Sequence, residues 1–154
     1  MDHKFRTSWR SYLFQSLCTV LAMLVVLLAF DLQQAIVITS LGATVFVVFM
    51  MPSSIPAQPR RVIGGHLVGL VSGSLLGLIP HDSAAGGILV AALAVGLAAF
   101  LMVVLNAEHP PAAGTALTVV VEGPSTDLVV GVLGSVVVLA IAHHFLKRRL
   151  KDLV

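Results

Sequence analysis

The stretch NAEHPPAAGTAL, residues 106–117, decides how the chain folds. A long apolar run ends at Leu105. An amide, a carboxylate, an imidazole and two prolines follow, and small residues then resume the apolar character. Pro110 and Pro111 have no backbone N–H, so they break an ordinary helix but suit its first turn. His109, directly before a proline, is biased towards extended backbone. The simplest reading is one helix ending near Asn106 and another starting near Pro110. Polar groups at a break between hydrophobic helices are costly unless paired or hydrated, so this break is the first place to look for a functional site.

Working outward, composition places the break in a membrane. The 154 residues are 58% hydrophobic and only 10% charged, with a mean hydropathy of +1.03. A soluble domain carries about 25% charged residues. Nearly all of the chain therefore belongs in a bilayer, as a single domain over residues 1–154. The pI near 9.1 suits nucleic acid only until the basic residues are located. All nine lie near predicted membrane ends, where they orient the protein, so no nucleic-acid partner is expected. Cys18 is alone, which excludes an intrachain disulfide. The first apolar run is longer than a signal-peptide core and no small-x-small cleavage site follows, so it is read as a retained helix.

The pattern predicts an all-α, polytopic integral membrane protein of six helical segments: 12–30, 35–51, 62–79, 84–105, 110–121 and 128–146. Asp31, Gln33 and Gln34 form the first turn, Pro52 to Arg61 a proline-rich loop, and Glu122-Gly123-Pro124 the last break. A spanning helix needs about 20 residues. The second and fifth segments are shorter, and are read as tilted short helices, half-helices with an extended lead-in, or re-entrant segments. Charge favours six crossings, because all nine Lys and Arg then fall on one side and both termini are cytoplasmic. The expected location is the inner membrane of a bacterium.

An inverted repeat of three helices, halves 12–80 and 84–146, is weighed against chance similarity. Gly42 lies ten residues before Pro52-Ser53, and Gly114 ten before Pro124-Ser125. Inverted repeats with broken helices recur in secondary transporters. In the third segment Gly65, Gly69, Gly73 and Gly77 are spaced by four, a stripe that lets another helix approach closely. Gly131, Gly134 and Ser135 form a weaker patch that is expected to face it.

Chemistry is expected where small and polar residues meet the breaks. Ser40, Gly42 and Thr44 are read as marking the start of one short helix, and Ala112, Gly114 and Thr115 the start of the other. Free N–H groups at two opposed N-termini make an anion site that needs no side-chain cation. The competing reading is that small residues only permit close packing. Arg60 offers a planar donor set for an oxyanion, against a purely membrane-orienting role, with Gln58 beside it. His109 can couple anion movement to protons. Glu108 can pair with Arg60 or Arg61. Against these stands a structural cap, in which Asn106, Glu108 and His109 satisfy open backbone groups. His66 has similar standing.

Metal chemistry is not favoured. Glu108-His109 lacks helical i,i+3 or i,i+4 spacing, and the rings of His143-His144 diverge. That last pair reads as an interfacial anchor. No nucleophile–base set, cofactor loop or metal motif appears, so neither an enzyme nor a cofactor is expected.

HPPAAGTAL at 109–117, together with SLGA at 40–43, PSSIPAQPR at 52–60 and GGH at 64–66, resembles the signature of the HPP family of integral membrane proteins. The resemblance runs from about Phe14 to Leu146. Members in photosynthetic organisms are associated with nitrite transport, and many bacterial members carry CBS domains after the membrane region, which this chain stops short of. The resemblance implies transport of a small inorganic anion, nitrite foremost. An uncoupled channel and a non-transport assembly or sensor subunit are the alternatives. A path through so small a protein implies a homo-oligomer.

Overall fold

A computed structural model describes residues 3–30 and 34–154, the side chains of 3–7 and of Ala29 excepted. The predicted turn at Asp31 and Gln33 lies outside the described residues. Six helices occur in the predicted order: α1 His3–Ala29, α2 Ala35–Met50, α3 Pro59–Gly77, α4 Ala84–Val104, α5 Ala112–Glu122 and α6 Thr126–Leu146. A short 3₁₀ turn, Ile55–Ala57, lies between α2 and α3. Among the described residues there is no strand. The stops are those of the sequence. Pro59 opens α3, Ser83 and Ser125 cap α4 and α6 by accepting from Gly86 and Leu128 N–H, and Gly123 leaves α5 at φ 82°, where a Cβ is disfavoured.

Among the described residues, three helices are long and apolar enough to cross a membrane: residues 8–28 of α1, all of α4 and all of α6. α1 begins earlier than its apolar run, and a non-helical Ser8 (φ −129°, ψ 18°) kinks it where that run starts.

The helices alternate in direction. The start of α1, the end of α2 and the tail after α6 meet at one end. There Leu153 N–H donates to Met50 O at 3.0 Å, and Tyr12 Oη donates to Leu153 O at 3.1 Å. Gln15 is fully buried in α1. Its amide donates to the carbonyls of Phe49 and Lys151 and its Oε1 accepts from Lys151 N–H, so one side chain ties three chain ends. Sequence reading passed over it, although a lone amide in an apolar run was the available signal. Arg10, Arg60, Arg61 and the Lys147–Lys151 segment gather at this end, and Asp82, Glu122 and Asp127 at the other.

Two apolar cores flank α3 and α5. One joins α1, α2 and α6 around Val37, Leu41, Val48, Val132 and Leu139, and the other joins α4 to α5 through Ala94, Ala98, Met102, Ala112 and Ala116. The glycine stripe of α3 packs on α5, running parallel to it. A Cβ on Gly65 would meet His109 Cβ at 2.7 Å, one on Gly69 would fall on the carbonyl of Ala112, and one on Gly73 would lie 2.6 Å from Ala116 O. Gly77 has open space around it. The expected patch on α6 is not the stripe's partner. Gly131 instead lies against the ring of Phe30, which follows α1, and Gly134 faces nothing within 4 Å.

Candidate functional site

α2 crosses α5 antiparallel, Ser40 lying beside Pro111 and Gly114 and Thr44 beside His109. This corrects the reading of Ser40, Gly42 and Thr44 as a helix start. α2 begins at Ala35 and runs through them without a break. Hydroxyls in a hydrophobic helix can bond back one turn, as Thr39 does to Ala35 O at 2.7 Å, and Thr44 Oγ1 lies within the same reach of Ser40 O, at 3.1 Å. The two N-termini therefore do not oppose each other. Nor are the N–H groups at the head of α5 free: Ala112, Ala113 and Gly114 donate to the carbonyls of His109, Pro110 and Pro111 at 2.9–3.1 Å. The backbone-only anion site is not formed.

What forms instead is a buried side-chain cluster. α4 ends at Val104, and Asn106 adopts φ 55°, a left-handed conformation that asparagine tolerates. Residues 107–111 then carry Ala107 and His109 into the bundle as a non-helical lead-in that turns at Pro110 and Pro111. Ser40 lies ten residues from Met50, roughly 15 Å along the helix, so α5 starts well inside the protein. At 11 residues, α5 is roughly 16 Å long and covers about half of a ~30 Å hydrocarbon layer. In form, α5 is a short helix preceded by a non-helical lead-in.

Ser40, Thr44, His66, His109 and Thr115 are all buried at this crossing. The two imidazole centroids are 5.2 Å apart, because Gly65, next to His66, leaves room for His109 against the α3 backbone. Thr44 Oγ1 is the hub, 3.0 Å from His66 Nε2 and 2.9 Å from His109 Nε2. His109 Nδ1 lies 2.8 Å from Pro56 O, and His66 Nδ1 lies 2.8 Å from Thr115 Oγ1. Ser40 Oγ donates to Pro111 O at 2.7 Å.

Proton positions follow from one fixed point. A carbonyl only accepts, so His109 Nδ1 carries a proton. For two neutral rings the rest is determined: Thr115 donates to His66 Nδ1, His66 Nε2 to Thr44, Thr44 to His109 Nε2, and His109 Nδ1 to Pro56. All four ring nitrogens are used. A second arrangement keeps the same contacts. If His109 Nε2 also bears a proton, Thr44 accepts from both rings and turns its own proton to Ser40 O. This second arrangement has room for one further proton without losing any contact to an imidazole.

Of the other candidates, Gly114 belongs here, since a Cβ on it would meet Ser40 Cβ at 2.9 Å. Gly42 does not; it faces Met23 of α1. Gln58 is exposed at the start of α3, facing a different cavity. Arg60 is exposed and donates to Asn106 O at 3.3 Å, outside the cluster. Arg61, rather than Arg60, pairs with Glu108 and also donates to Asn106 Oδ1. The two arginines thus clip the lead-in from above, and Asn106, expected as a cap, holds it at the arginine end. A cavity of about 220 Å³ lies beside this lead-in, lined by Glu108, His109 and Pro110 and by Met102, Val103 and Ala113. Among the described residues no group of three or more His, Cys, Asp or Glu is placed to hold a metal ion.

The model of the HPP family's transmembrane region matches residues 4–151. Two transmembrane proteins of Dictyostelium discoideum are also similar. One is 38% identical over 89 residues, 58% of this chain and 31% of the relative, and the other 32% identical over 103 residues, 67% and 33% respectively. The chain thus spans about a third of the length of these relatives. No solved structure matches it.

Proposed function

The chain belongs to the HPP family of integral membrane proteins, and on that premise we propose that it moves a small inorganic anion across the membrane together with a proton. The observation that carries the proposal is the buried cluster of two imidazoles and three hydroxyls. It can take up a proton without losing an imidazole contact, and it contains no carboxylate to balance the charge. Glu108, the nearest carboxylate in sequence, is paired with Arg61. A buried charge is costly unless compensated. An anion arriving by way of the cavity beside Glu108 and His109 supplies the compensation, so anion and proton enter and leave as a neutral pair. Thr44, turning between His109 and Ser40 O, is the element with two states.

Nitrite is the leading substrate through the family association alone. The basic end faces the cytoplasm of a bacterial inner membrane on the positive-inside argument. The halves 12–80 and 84–146 are the rocking units, and a homo-oligomer completes the path. The saturation of every ring nitrogen supports a second reading, a non-transport membrane subunit whose histidines only fasten α5.

The test is nitrite flux into liposomes holding only the purified protein, with chloride, nitrate and formate as competitors and a pH gradient in either direction. Saturable influx that rises when the outside is acidic, falls when it is alkaline and disappears in His109→Gln supports proton coupling. Flux that ignores the gradient identifies an uncoupled channel. No flux of any of these anions from folded protein overturns the transport reading in favour of the subunit.

A further inference from the structure

The tail beyond α6 reads in the sequence as a run of orienting charges, yet residues 150–153 are docked one by one on the ends of α1 and α2. Leu150 and Leu153 are buried. Lys151 N–H donates to Gln15 Oε1 at 3.1 Å, and Lys151 O accepts from the same amide at 2.8 Å. Leu153 N–H donates to Met50 O at 3.0 Å, and Leu153 O accepts from Tyr12 Oη at 3.1 Å. Asp152 Oδ1 accepts from Ser53 N–H at 3.0 Å, which joins this strap to the proline-rich loop.

A chain end is ordered only where something ties it down, and a packed tail by itself does no more than close the end of a bundle. Two features give this strap a further part. The first is Gln15, fully buried in the apolar run of α1. A buried amide is costly without partners. Its partners are Phe49 O and, twice, the backbone of Lys151. Lifting the strap leaves that amide largely unsatisfied, so docked and released are two distinct states.

The second feature is the short route from the strap to the buried cluster. Ser53 lies just before Pro56, whose carbonyl accepts from His109 Nδ1 at 2.8 Å. The chain between them is braced. Ser54 N–H donates to Met51 O at 2.9 Å and Ala57 N–H to Ser54 O at 3.1 Å, His143 Nε2 donates to Pro52 O at 3.0 Å, and Pro52, Pro56 and Pro59 have fixed φ. A braced, hydrogen-bonded segment moves as a piece, so a shift at Ser53 reaches Pro56 O. The bond it reaches is the one from which the proton order of the Thr44 cluster follows. We propose that residues 150–153 are a latch. Docked, they keep Pro56 O on His109 Nδ1 and so fix the protons of the cluster. Released, they let the loop withdraw Pro56 O and free His109 to move its proton between its two ring nitrogens. The latch needs only the cluster, so it stands or falls apart from the transport reading.

The test is nitrogen-15 NMR of the full chain labelled at its histidines, in detergent, with His109→Gln assigning the His109 signals. Asp152→Ala cuts the bond between strap and loop at an exposed position. Gln15→Leu removes the amide that holds Lys151. Lys151→Gln leaves the backbone contacts of the strap in place and is the control. Loss of one such hydrogen bond corresponds to opening about tenfold more often. The expected result is a His109 Nδ1 proton that exchanges with water about tenfold faster in Asp152→Ala and faster still in Gln15→Leu, its signals moving towards a mixture of tautomers, with no change in Lys151→Gln. His81, bonded to Ile79 O at the opposite end, should keep its signals in every variant. His109 signals that stay as in the parent in either folded variant overturn the latch and leave the strap a closed end. A change shared by His81 is general loosening and overturns it as well. Should Gln15→Leu fail to fold, Asp152→Ala carries the test alone.

Discussion

The loop between α2 and α3 is held at both ends by buried histidines, and the two ends differ. His109 grips Pro56 O and its other nitrogen is taken by Thr44, which also holds His66. His143 grips Pro52 O and its other nitrogen has no partner. The first end is closed by a network within the protein. The second leaves Nδ1 without an acceptor or donor among the described residues. The difference teaches that burial alone does not tell whether a histidine's hydrogen bonding is complete. Burial is common to both; what separates them is whether the second nitrogen is satisfied.

The comparison breaks most sharply at Thr44. Thr44→Val keeps the shape but orphans Nε2 of both His66 and His109. Thermal unfolding in detergent should show a loss of about 1–3 kcal/mol. Thr44→Ser should restore it, since only the hydroxyl is at issue. Gly65→Ala attacks the same pair without touching a polar atom. Its Cβ drives into His109, and overpacking of this kind costs about 1–3 kcal/mol. Gly77→Ala, on the same stripe with open space around it, should leave the melting temperature within a degree or two of the parent, roughly 0.5 kcal/mol at most.

Smaller effects sharpen the contrast. Glu108→Gln removes an ion pair whose members are 13% and 37% exposed, and surface pairs contribute about 1 kcal/mol or less. Unfolding should shift little, and the remaining loss should shrink with added salt. His143→Gln should be the mildest of all, because Pro52 O keeps a donor. A large destabilisation there would mean that Nδ1 is structural after all and would erase the distinction between the two ends.

Much of the fold was legible because this chain punctuates its helices with residues whose backbone limits are strict. Pro52, Pro59, Pro80, Pro110 and Pro124 mark stops and starts to within a few residues. The four-residue spacing of glycines announced a close helix contact. It could not say which helix, because α5 and α6 both present small residues, and the choice rests on tertiary packing. Five of the candidate site side chains, Ser40, Thr44, His66, His109 and Thr115, do meet, with Gly114 at the contact. The expected geometry failed at Ser40 and Thr44, which lie inside a continuous α2 rather than at its start. Arg61 and Arg60 are adjacent in sequence, and only the direction of each side chain in the fold selects Arg61 for Glu108. Gln15 and the Nε2 of His143 act on carbonyls far along the chain, which no local pattern reveals.

The position of Thr44 has an electrical consequence. Measured along α2 it lies six residues from Met50, roughly 9 Å, or about a third of a ~30 Å hydrocarbon layer taken from the level of Met50. A full crossing of one charge is biased by about 2.3 kcal/mol per 100 mV, so a bare proton reaching His109 from the basic side senses about 0.7 kcal/mol of that. A proton travelling with a monovalent anion senses none. Voltage therefore tests the proposed coupling: cotransport of a neutral pair would be insensitive to membrane potential, whereas an unaccompanied proton would make flux slow or quicken with the sign of the field.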